Sequence, residues 1–232
     1  MAVSSEYPQI IESLEQQGIR VLQVMPCRKL DFPVASHADM QLLHLGGKQV
    51  LVSPYQDKLA EQLKELGMEV IIGETLGGKY PTDVLYNIAV MDTYYICNYK
   101  TISKTVKELL NKHHQIQTKQ GYSKCSTCIV DEKSIITSDS GIAKAVEPYG
   151  ISVLKIRSGY IKIPKYDTGF IGGCCGKLQP NLLAFTGNIS NHPDYKQIQK
   201  FLKKREIEIL NLTKDELMDV GGIIPLMEEN HK

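Results

Sequence analysis

Three aspartates stand at matched places in the chain. They are Asp39 in His37-Ala38-Asp39-Met40, Asp83 in Tyr80-Pro81-Thr82-Asp83 and Asp219 in Met218-Asp219-Val220-Gly221-Gly222. Each precedes an apolar residue at the start of a predicted strand. Brought together, their carboxylates suit a small cationic molecule held by charge-assisted hydrogen bonds. Kept apart, each would cap a turn. His37 precedes Asp39 by two positions, so in a strand the two side chains share a face and the carboxylate can orient the imidazole for proton transfer. Cys125 follows Lys124, whose ammonium would favour the thiolate, the form that attacks an electrophilic carbon. Cys175, in Gly172-Gly173-Cys174-Cys175-Gly176-Lys177, is the rival thiol. The candidate catalytic set is therefore Cys125, His37 and Cys175. The candidate substrate-binding set is Asp39, Asp83, Asp219, Lys124 and Asn87.

Other motifs point to simpler roles. Cys125 and Cys128 form a C-x-x-C, but zinc needs two further ligands, and the adjacent Cys174 and Cys175 are poorly spaced for a tetrahedron. A redox C-x-x-C opens a helix, whereas this one lies in a predicted strand, with Cys125 and Cys128 on opposite faces. No metal and no cofactor are expected. The glycine-rich stretch around Cys174 lacks the context of a phosphate-binding loop. It reads as a nucleophile loop, as an anion-binding nest, or as glycines that let strands crowd together. His192 reads as a helix-start residue before Pro193, and His113-His114 as favourable charges at a helix end.

The elements that would position these residues recur. A short polar stretch leads into a strand, a charged turn, a more apolar strand, a helix and a third strand, as over residues 120–156. Three further copies are expected, with first strands at His37–Leu45, Val84–Ala89 and Gly169–Gly176. The last unit, Leu217–Leu226, has only a first strand, while the N-terminus has a helix, Pro8–Gln17, and a strand, Arg20–Val24. Each end supplies what the other lacks. Four full units and one split unit predict a single α/β domain over residues 1–232, a five-fold ring closed by the two termini that leaves no open sheet edge. A generic α/β sandwich with coincidental periodicity is the alternative.

Composition narrows the classes. The 232 residues are 42% hydrophobic with a net charge of +1, so no strong field favours nucleic acid or an acidic membrane surface. No apolar run reaches the ~20 residues that span a bilayer. The polar N-terminus carries no secretory pattern. Six cysteines are too few for a disulfide scaffold of this size, which predicts reduced thiols in the cytoplasm.

The ring of ββαβ units, with the aspartate motifs, Gly121-Tyr122-Ser123-Lys124-Cys125-Ser126 and Gly169-Phe170-Ile171-Gly172-Gly173, resembles the pentein fold of the guanidino-group-modifying enzymes. The motifs look most like a bacterial branch of that superfamily of the kind found in clostridia. The resemblance implies first strands that face the ring centre and supply guanidinium-binding acids, a proton-transferring histidine and a nucleophilic cysteine. In those enzymes the cysteine lies in the last unit. Here that unit reads Asp219-Val220-Gly221-Gly222-Ile223-Ile224-Pro225-Leu226, without one, and the usual middle-unit histidine has no clear counterpart. Two readings follow. One is a hydrolase or transferase that attacks a small guanidino, amidine or amide compound through a cysteine thiolate. The other is a non-catalytic ring that binds a small cationic ligand or a macromolecular partner.

Overall fold

A computed structural model of the chain describes residues 1–227. It begins with β1 (Ala2–Ser4), α1 (Pro8–Gln16) and β2 (Leu22–Val24). The second segment holds α2 (Ala38–Gln41), β3 (Leu42–Gly46), β4 (Gln49–Val52), α3 (Asp57–Glu65) and β5 (Glu69–Ile72). The third holds β6 (Ala89–Val90), β7 (Tyr94–Cys97), α4 (Lys104–Leu109) and β8 (His114–Gln117). The fourth holds β9 (Cys128–Asp131), β10 (Ser134–Thr137), α5 (Ser140–Val146) and β11 (Ser152–Lys155). The fifth holds β12 (Cys175–Gln179), β13 (Leu182–Phe185), α6 (Tyr195–Lys203) and β14 (Glu208–Asn211).

These strands make four three-stranded sheets and one two-stranded sheet. In each larger sheet the first two strands are antiparallel and the last two parallel, with the helix crossing between them. The two-stranded sheet follows the same plan. β1 and β2 are parallel across α1, and Ala2 pairs with Ile224 on its other side, antiparallel. Residue 224 thus stands where a first strand would.

The second strands read as continuous apolar runs because both their faces are covered. Val50, Leu51 and Val52 are fully buried, as are Ile135 and Ile136. Helix starts are chemically marked. Ser103 accepts a hydrogen bond from Val106 N at 3.0 Å, and Asp139 accepts one from Ile142 N at 2.8 Å. The first helix packs Ile10 and Leu14 against Leu178, Ala184 and Ile223, side chains of the last sheet and the C-terminal stretch.

The segments that open the units differ from the sequence expectation. Residues 37–45 are not one strand, since a single helical turn, α2, precedes β3. Of Val84–Ala89 only Ala89 is in a strand, and residues 84–88 are tightly turned, with Asn87 N donating to Val84 O at 3.1 Å. Cys125 lies in a turn before β9, so the strand-face argument for Cys125 and Cys128 does not hold. A short 3-10 turn over Ile171–Cys174 precedes β12. Leu217–Leu226 is no continuous strand; it makes single bridges at Met218 and Ile224. The N-terminal strand β1 was missed because three residues carry too little pattern to read. The physical reason for the turns is common to all. Their backbone groups bond to one another across sheets rather than along a ladder.

Candidate functional site

The five unit-opening turns meet. Asp39 N donates to Gly221 O at 3.1 Å. Gly173 N donates to Cys125 O at 3.1 Å, and Val220 N and Gly222 N both donate to Gly173 O, at 2.9 and 2.8 Å. Asn87 braces three turns at once. Its Nδ2 donates to Asp39 O at 3.1 Å and to the Cys125 sulfur at 3.0 Å, and its Oδ1 accepts from Lys124 N at 2.8 Å and Cys125 N at 3.1 Å.

Glycine makes this approach feasible. A Cβ on Gly173 would fall 1.9 Å from Asp219 Oδ1, and one on Gly172 would fall 2.1 Å from Lys124 O. Gly221, at φ +80°, lies against His37, whose Cβ would be 2.3 Å from any Cβ placed there. In the sequence alone, Gly172 and Gly173 allow crowding as only one option for the stretch around Cys174. Their recurrence as Gly-Gly pairs at unit starts was the clue to a crowded centre.

Asp39, Asp219, His37, Cys125 and Asn87 therefore converge, all buried. The Cys125 thiol donates to Asp39 Oδ2 at 3.0 Å. Asp219 is held by Phe170 N (2.9 Å) and Gly221 N (3.1 Å). His37 Nδ1 stands 3.8 Å from Asp219 Oδ1, beyond hydrogen-bond distance. Both ring nitrogens of His37 and Asp39 Oδ1 are buried without a hydrogen-bond partner.

Asp83 lies one layer out. Its Oδ2 accepts the Tyr122 hydroxyl at 2.7 Å, and its buried Oδ1 has no partner. Cys175 is buried in one cluster with Cys128 and Cys174. A cavity of about 360 Å³ at the hairpin ends, lined among others by His44, Asp92, Glu132 and Lys177, includes none of the three matched aspartates.

Charges in the centre are shifted by burial and by one another. Burial lifts Asp39 to about 6, against the lowering by Lys124 and His37. Burial works against the Lys124 ammonium, but Asp39 and the surrounding thiols outweigh it, so its pKa rises. Its Nζ donates to Gly172 O at 2.9 Å. The Cys125 thiol is pushed well up, by burial first and then by Asp39 and Asp219. At neutral pH it is a protonated donor. The sequence argument that Lys124 would hold it as a thiolate fails, because burial and the two carboxylates outweigh the ammonium. For Cys175 the balance reverses. The neighbouring Cys128 thiol, aided by Lys124, lowers its pKa despite burial.

Known proteins can be set beside this geometry. Over 96% of its length the chain is similar to an amidinotransferase of the saxitoxin biosynthetic pathway from Microseira wollei, with 11% identity, a TM-score of 0.57 and 84% of that chain covered. It is similar over 94% to the inosamine-phosphate amidinotransferase of Streptomyces griseus, with 12% identity, a TM-score of 0.57 and 76% of that chain. It is also similar over 94% to the DDAH of Pseudomonas aeruginosa complexed with citrulline, with 10% identity, a TM-score of 0.55 and 83% of that chain. At these identities the likeness is one of fold, the mixed α/β pentein fold with its small sheets. No curated protein matches the sequence. Residues 2–224 match the model of a family described as of unknown function, DUF6873.

Proposed function

This chain belongs to the DUF6873 family, and we propose that it modifies a small guanidino, amidine or amide compound at the point where its five unit-opening turns meet. The proposal includes the architecture. The five small sheets form one domain, a five-fold α/β propeller closed by the pairing of residues 2 and 224. The observation that carries the reading is the set of buried, unpartnered polar atoms beside a thiol: Asp39 Oδ1 and both nitrogens of His37, next to Cys125. Buried polar atoms without partners are rare in folded proteins and call for a partner.

In the proposed reaction Cys125 is the nucleophile. Its sulfur bonds to the amidine carbon while Asp39 Oδ2 takes the thiol proton. Asn87 Nδ2 stays on the sulfur and steadies the charge that develops there. The carbon–nitrogen bond to the leaving amine breaks as that nitrogen receives a proton from Asp39. Water or an acceptor amine then attacks the S-linked carbon and gives up a proton to His37, whose charge Asp219 supports; the carbon–sulfur bond breaks and the sulfur takes that proton back, restoring the Cys125 thiol. Asp83 and Lys124 complete the substrate-binding set. The cytoplasm, where thiols stay reduced, fits a site built on cysteine.

Chloroacetamidine tests this assignment, because it pairs an amidinium with an alkylating carbon. Mass spectrometry of labelled peptides is expected to find Cys125 modified first, with labelling lost in Cys125→Ser and slowed in Asp39→Asn. Labelling of Cys175 ahead of Cys125 would move the nucleophile to Cys175. Labelling of neither would remove thiol chemistry from the centre. A second reading, a non-catalytic ring that binds a small cationic ligand or a macromolecular partner, draws on the protonated Cys125 and the nearly complete burial of His37, Asp39 and Cys125.

A further inference from the structure

In the four larger sheets a short turn joins the antiparallel pair of strands. Ala2 and Ile224 also pair antiparallel, but they come from opposite ends of the described chain and no turn joins them. Beyond this pair, where such a turn would lie, is a cavity of about 380 Å³. The chain just after α1, the end of α3, the turn between β12 and β13, and Leu226 bound it. Its apolar wall consists of Leu22, Leu63, Leu66, Leu178 and Leu226, and all but Leu66 are buried. Ligand cavities run from roughly 300 to 1,000 Å³, so this one suits a small molecule. One cationic side chain stands in the lining, Arg20, and no carboxylate is among the described lining residues. Met1 N donates to Arg20 O at 2.8 Å, which fixes the backbone at the cavity edge. The Arg20 side chain is exposed, and its guanidinium has no hydrogen bond or ion pair among the described residues. A planar fork of N–H donors beside an aliphatic wall matches a ligand with a carboxylate at one end and an alkyl chain behind it.

We propose that this cavity binds a free medium-chain alkyl carboxylate, with its head group forked onto Arg20 and its chain laid against the five leucines. The described lining holds no aromatic ring, so a flat ligand would find nothing to stack on, whereas a flexible chain gains by burial alone. An alkyl ammonium of the same length would meet like charge at Arg20. None of His37, Asp39 and Cys125 lines the cavity, so the site is separate from the proposed catalytic centre and stands whether or not that centre is catalytic. A bound chain would touch the first unit, α3, the last sheet and the C-terminal stretch at once, and would stabilise the junction between them.

The test is calorimetric titration of the full chain with decanoate, octanoate and decyltrimethylammonium, each kept below its micelle concentration. Decanoate is expected to bind more tightly than octanoate, by about three- to fourfold for each added methylene. Decyltrimethylammonium is expected to bind more weakly than decanoate. Arg20→Gln is expected to weaken decanoate about three- to tenfold, the effect of a bidentate pair at a partly open site, and to spare decyltrimethylammonium. Leu66→Glu, which sets a carboxylate in the least buried part of the wall, is expected to abolish decanoate binding. Should Leu66→Glu fail to fold, Arg20→Gln, at an exposed side chain, still decides the question. Decanoate binding that is absent in the wild type, or unmoved by Arg20→Gln, overturns the site. So does equal affinity for decanoate and octanoate, or a preference for decyltrimethylammonium. Sedimentation with phosphatidylglycerol vesicles, without binding of free decanoate, would assign the leucine wall to a membrane surface and overturn the proposal as well.

Discussion

Asp39 shares its proton with the fold. Its pKa stands near 6 in the folded chain against 3.8 for the free group, chiefly because burial disfavours its charge. A raised folded value means that the stability it lends is fully present below about pH 4 and is lost as pH climbs through about 6, on the order of 2–3 kcal/mol in all. Urea unfolding of wild type and Asp39→Asn from about pH 4 to 7.5 is expected to show this loss in the wild type only. Parallel curves would mean that Asp39 ionises freely. Asn87 works through hydrogen bonds rather than charge. Truncation to Ala strands the N–H groups of Lys124 and Cys125 and removes the donor to the Cys125 sulfur. At about 1–3 kcal/mol per unsatisfied buried group, Asn87→Ala is expected to cost roughly 2–5 kcal/mol in urea unfolding. A cost under about 1 kcal/mol would mean that the turns at Asp39 and Cys125 do not depend on this brace.

The turns that open each unit decide what the sequence could and could not disclose. The second strands and helices were legible, because Val50–Val52 or Ile135–Ile136 are apolar without interruption and Ser103 and Asp139 cap as their side chains suggest. The opening turns were not. Ala38, Asp39, Met40 and Gln41 are all buried, polar and apolar alike, so no period separates inside from outside. The structure brings Asp39, Asp219, His37 and Cys125 together, although only the aspartates share a matched placement in the sequence. Asp83 does not join them; its Oδ2 is taken by the Tyr122 hydroxyl. Lys124 shows why adjacency in sequence is a poor guide to contact: the chain turns after it, and its ammonium bonds to Gly172 O. The glycines of these turns carry a direct test. In Gly173→Ala the methyl would overlap the Asp219 carboxylate, a clash between fixed groups for which a cost of about 2–4 kcal/mol is expected. Thermal unfolding that matches the wild type would mean the turns have room to part.

At the scale of the molecule, the two ends of the described chain complete one sheet. Ala2 N donates to Ile224 O at 2.9 Å, and Ile224 N returns a bond to Ala2 O at 3.0 Å. Val3, Ile10 and Leu14 share a cluster with Leu178, Ala184 and Ile223, while Ala2, Leu22 and Val24 share another with Leu42, Val50, Ile224 and Leu226. The first unit thus packs against both the second and the fifth, as the proposed closed ring requires. It also holds Gly221, whose carbonyl accepts from Asp39 N, within reach of the centre. A stop after Gly222 would remove Ile223, Ile224 and Leu226, each at least 94% buried. Burial of one such side chain is worth about 1.5–3 kcal/mol, so the three together approach the whole stability of an ordinary domain. If the ring is closed, the shortened chain is expected to lose its fold cooperatively, with the helical circular dichroism and the protection of amides in β4, β7, β10 and β13 failing together. An open array would instead fray from one end. Hydrogen exchange that stays native in β7 and β10 while β1 and β2 open would refute closure.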